Sequence, residues 1–112
     1  MYIVMMLRFS KRGVFIMKII TLKSDSPETV VPLLKNAVER EKKIIMDTIR
    51  KSKEKINSLA KTLGVDTGKL MKGDVEHTET NDMQLIELEG EIEILGHLET
   101  ELKALETVEI CK

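Results

Sequence analysis

The sequence of 112 residues predicts a mainly helical α+β fold. A long antiparallel helical hairpin carries a short N-terminal β-hairpin and a short C-terminal strand at its base, and a second copy completes a four-helix bundle. Three observations lead to this expectation. Apolar side chains recur at intervals of three and four through residues 27–63 and again through 81–106. Two short runs rich in Ile and Val precede them, YIVMML at 2–7 and VFIMKIITL at 14–22. Finally, residues 1–75 hold sixteen Lys or Arg against eight acids, whereas residues 76–112 hold two against eleven. The near-neutral total of −1 therefore hides a basic half and an acidic half.

The β-hairpin is expected over 1–23, with the polar RFSKRG between its runs and Gly13 at the turn. Neither run alternates cleanly, which predicts a sheet covered on both faces. Met17 opens MKIITLK, which reads like a natural protein start and leaves 1–16 open as an upstream extension.

A helix is expected over 27–63. Ser26 suits its cap, Pro27 its first position, and Pro32 should lie near the first turn. Its apolar seam is Val38, Ile45, Ile49, Ile56, Leu59 and Leu63, with Lys42 and Ser52 filling the remaining seam positions. Gly64 sits where a left-handed cap residue belongs, with Val65 placed to fold back onto the last turn. Residues 64–80 read as a loop.

The second helix is expected over 81–106, opened by a capping box of Asn81 and Gln84. Its seam is Leu85, Leu88, Ile92, Leu95, Leu98, Leu102 and Leu105, with a slip in the heptads at Gly96 and His97. IELEGEIEI, at 86–94, also alternates as a strand would, but the 3/4 spacing continues beyond it. A terminal strand is expected over 107–111. Matching the two seams sets Ser52 opposite Leu95 and beside Gly96, Lys42 near Glu106 and Arg50 near Glu99. Residues 39–61 hold eight Lys or Arg against four acids, so the flanks of the pair attract.

The whole reads as one domain. Cys111 is the lone cysteine, which rules out an intrachain disulfide and suits a reducing cytoplasm. Charges break the apolar N-terminal region well short of the ~18 residues a membrane helix needs. Four Asn or Gln among many Lys, Glu and Ile is a thermophile-like balance.

Motifs that carry chemistry are few. LAKTLGVDTGKLMKGD, residues 59–74, overlaps a segment, 56–73, that resembles a DNA-binding helix-turn-helix at six positions but puts Gly73 where a buried aliphatic belongs. The supposed recognition helix holds two glycines, and its two lysines are offset by two aspartates, a poor footprint for phosphates. GVDTGK spaces its glycines by three residues where a phosphate-binding loop needs four. His77 has Glu76, Glu79 and Asp82 nearby, and His97 lies between Glu93 and Glu101 at four-residue intervals. Neither matches a metal-ligand signature, and Ile94 stands where a Glu-x-x-His site needs its carboxylate. The glutamates at 87, 89, 91 and 93 point around the helix and do not converge.

No cofactor or metal is expected. The reading is of a non-enzymatic adaptor or scaffold that self-associates as a dimer and takes an unidentified protein partner. A DNA-binding regulator using residues 56–73 is the alternative, and a helical metal-dependent enzyme built on Glu93, His97 and Glu101 a distant third.

Overall fold

The structure, a computed structural model, describes residues 2–11 and 14–111. In chain order the elements are β1 (Tyr2–Lys11), β2 (Val14–Lys23), α1 (Pro27–Leu63), α2 (Thr67–Met71), α3 (Asp82–Glu106) and β3 (Val108–Cys111). The fold is mainly helical α+β, with α1 and α3 as an antiparallel hairpin and a small three-stranded antiparallel sheet. The 86–94 segment is helical throughout.

Two compact units divide the chain, one of residues 1–46 with 100–112 and one of residues 47–99. The first unit contains the sheet, in the order β2-β1-β3. β1 pairs with β2 from Tyr2↔Lys23 to Lys11↔Val14, and with β3 from Val4↔Cys111 to Leu7↔Val108. The turn expected at Gly13 lies outside the described residues. Ile3 of β1, Val31 and Ile45 of α1 are buried here, and Pro27 with them. The expectation of a sheet covered on both faces does not hold along β2. Ile19 and Ile20 are neighbours that point to opposite faces, and both are exposed.

Helix α1 starts as its sequence suggests: the Ser26 carbonyl accepts from Thr29 and Val30 at 3.1 and 3.0 Å. Pro32 stands at the sixth helical position, in the second turn, so one bond toward residue 28 is lost without ending the helix.

In the unit of residues 47–99, α1 ends in a two-bond glycine cap. Gly64, at φ +64, donates to Lys61 O at 3.3 Å, and Val65 donates to Ala60 O at 3.0 Å. The expected loop then holds a helix of its own. Asp66 caps α2 by accepting from the Lys69 amide at 3.2 Å. Nine residues after Gly64 the same capping device recurs: Gly73, at φ +78, donates to Leu70 O, and Asp74 to Lys69 O at 2.9 Å. Gly73 is thus a helix terminator, which is why no aliphatic stands there.

The start of α3 departs from the expected capping box. Asn81 turns its side chain back, and its Oδ1 accepts from the Thr78 amide at 2.7 Å. Its backbone carbonyl takes the Leu85 amide at 2.9 Å. Gly96 departs too. The seam register sets it beside Ser52, yet it is exposed and a Cβ built on it meets nothing within 4 Å. It therefore only weakens the helix. Gly96→Ala should raise stability by about 0.5–1 kcal/mol, read from the urea midpoint at constant m-value.

Candidate functional site

The helix pair in the unit of residues 47–99 is built on Ile56, Leu70, Leu85 and Leu88, a contiguous buried cluster. Leu59, Leu63, Ile92 and Leu95 pack against it, together with Ala60, Val65 and Val75. Ile49 is buried and Leu98 half-buried in the same unit. Of the remaining expected seam residues, Ile45 is buried and Val38, Leu102 and Leu105 are half-buried, all in the other unit. The spacing of apolar residues on each helix explains this burial: three- and four-residue steps return side chains to one stripe. Leu70 was missed, because a one-turn helix shows no period.

One polar residue interrupts the apolar stripe of α1. Ser52 is 7% exposed, and its hydroxyl donates to Glu91 Oε2 at 3.4 Å. Glu91 Oε1 accepts from Lys55 Nζ at 2.8 Å, and Lys55 also lies 3.4 Å from Glu87. Hydrogen bonding by Glu91, then its charge, holds the Lys55 ammonium above the ordinary lysine value. This trio joins α1 to α3 through one glutamate, one helical turn before the Leu95 that was expected opposite Ser52. With its two oxygens given to Ser52 and Lys55, Glu91 favours one alignment of the helices.

The cross-helix pairs expected from matching the seams turn out otherwise. Arg50 binds along its own helix, to Asp47 at 2.7 Å and Glu54 at 3.1 Å. Lys42 binds Glu39 at 3.1 Å. Steps of three and four residues place these partners on one helix surface, so the local pairing forms at less entropic cost. The hydrogen bond from Arg50, with help from Lys51, holds the Asp47 carboxyl below its usual range.

Beside the trio lies an open groove of about 300 Å³, lined by Thr48, Lys51, Ser52 and Lys55 of α1 and by Glu91, Ile94 and Leu98 of α3. Its lining is largely apolar, and Lys51, Lys55 and Glu91 are its charged members.

The histidines separate. His77 bridges two carboxylates, with Nδ1 2.7 Å from Asp82 Oδ1 and Nε2 3.4 Å from Glu89 Oε1. Asp82 was within sight in the sequence; Glu89, two turns into α3, was not. The contact ties the loop before α3 to the helix. His97, Glu93 and Glu101 all sit on exposed positions of α3. Among the described residues, no three His, Cys, Asp or Glu side chains converge as a metal ion would require.

In the helix-turn-helix segment, the turn at Gly64 leads into an α2 of only five residues. Leu70 anchors it to the core, while Lys69 and Lys72 are exposed alongside Asp66 and Asp74. No described helix is long and apolar enough to cross a membrane. Compared with protein-family models, curated proteins and solved structures, the chain finds no match.

Proposed function

We propose that this chain is a non-enzymatic helical hairpin that self-associates as a dimer and serves as an adaptor or scaffold. The observation that carries the reading is the double apolar character of α3. Leu85 and Leu88 are 0% exposed, yet Met83, Ile86 and Ile94 on the other sides of the same helix are 83%, 55% and 51% exposed. Large apolar side chains left exposed together on one helix mark a surface that another surface covers. Met71, on α2 in the same unit, adds to the exposed set.

Fully covering an aliphatic side chain contributes about 1.5–3 kcal/mol. Covering part of this set on each of two copies supplies a driving force to set against the entropic cost of association. Two hairpins packed together form a four-helix bundle, in which each helix has a second neighbour for its second apolar face. A scaffold of this kind presents its outer surface to a protein partner, in keeping with a site that offers contacts rather than an activated nucleophile.

Size exclusion with light scattering tests the reading on the full chain. A dimer or higher oligomer is expected at micromolar concentration. A folded monomer under those conditions would exclude the bundle.

A further inference from the structure

We infer that the groove between Ser52 and Ile94 is where a second copy of this chain docks, with Ile94 of each copy entering the groove of the other. The inference rests on the self-association reading and adds the surface and the orientation. Ile94 lines the groove and is half-exposed, and the largely apolar lining also includes the half-buried Leu98. One groove therefore carries both a projecting aliphatic and an apolar recess. A two-fold axis running along the hairpin sets the α3 rim of one copy over the α1 rim of the other. Ile94 then lies over the recess beside Thr48 and Ser52, twice by symmetry.

Charge selects the occupant and the axis. Within this unit, α1 residues 47–63 carry five Lys or Arg and two acids, net +3. α3 residues 82–99 carry six acids and no Lys or Arg, net −6. The lengthwise axis sets α1 of each copy against α3 of the other, opposite charges in both places. A two-fold across the hairpin would set −6 against −6 and +3 against +3.

Area is sufficient as well. Helix segments of this length run about 25 Å. Two side by side present a face of roughly 500 Å² per copy, near the ~1,000 Å² total that marks a specific interface.

Three measurements by sedimentation velocity on the full chain decide it. For Ile94→Asp the dissociation constant should rise at least tenfold with helical content unchanged, because Ile94 is already half-exposed. Ile86→Asp, about two turns before Ile94 and not among the residues lining the groove, should leave the dimer within threefold of the parent. Raising salt from ~0.05 to ~0.5 M should weaken the dimer, since opposite charges face each other. A parent chain that is monomeric throughout overturns the self-association reading itself. A dimer indifferent to Ile94→Asp, or lost with Ile86→Asp alone, overturns the groove assignment while leaving self-association standing. A dimer strengthened by salt overturns the lengthwise axis, since that is how facing acidic helices would behave.

Discussion

Leu88→Ala is expected to cost about 2–5 kcal/mol, with the same change at Leu85 among the largest losses from a single truncation in the described residues. Leu88 is 0% exposed and belongs to the cluster of Ile56, Leu70 and Leu85. Removing three carbons there forfeits their transfer from water and leaves a void lined by rigid helix neighbours, which cannot collapse fully. The site's support weakens with it, because Glu91 lies one turn further along α3 and is positioned by the same packing. Urea unfolding followed by far-ultraviolet circular dichroism gives the number. Parent and variant must be compared at one protein concentration, since association would add to apparent stability. A loss below about 1 kcal/mol would mean that α1 and α3 are not packed through this cluster.

Leu70→Ala is the second large effect, expected at about 2–3 kcal/mol, and it should have a different signature. Leu70 is 3% exposed and is the buried residue of α2. A helix of five residues cannot sustain itself, since nucleation costs more than its few hydrogen bonds return. Its persistence therefore depends on that one side chain and on the Asp66 and Gly73 caps. Without the leucine anchor, α2 should open locally before the helices separate. Hydrogen exchange should show the amides of Leu70 and Lys72–Asp74 losing protection, whose acceptors are Asp66, Gly68, Lys69 and Leu70. Amides in the middle of α1 should keep theirs relative to global unfolding. Equal loss at both places would make α2 part of one cooperative core rather than a docked turn.

Most of the local structure is legible without coordinates, for a physical reason. A helix is stabilised by bonds four residues apart and buries a stripe with a period near 3.6, so its signature lies within any short window of sequence. That is how α1 is visible from Ser26 to Leu63, ended by Gly64 and followed by the inward Val65. The same logic settles 86–94. Its alternation is real, but the seam from Leu85 to Leu105 runs past it, and only a helix uses the whole pattern.

The candidate site was much less legible. Ser52 stood out as the small polar member of the seam, but its partner did not. Glu91 was one of four glutamates at alternate positions, and nothing local distinguishes it from Glu87, Glu89 or Glu93. The distinction arises because helix α3 turns Glu91 toward Ser52 and Lys55 across the pair. His77 illustrates the same limit, its second carboxylate being Glu89, twelve residues away along the chain. Where several partners were available, the sequence favoured cross-helix pairs for Arg50 and Lys42, and nearer partners on the same helix took them.

By itself, then, the amino-acid order determined what depends on neighbours along the chain: two long helices, their glycine and serine boundaries, the strand-forming ends and the division of charge. The tertiary structure alone decided what depends on which side of a helix faces which neighbour. It made α2 a docked helix through Leu70, turned Asn81 back to Thr78, left Gly96 facing open space and chose Glu91 for the seam. It also decided how much of α3 is covered. Leu85 and Leu88 are buried, while Met83, Ile86 and Ile94, equally apolar, remain exposed. A periodic pattern names the stripe that packs, but only the position of the facing helix settles how much of the remaining apolar surface is left open.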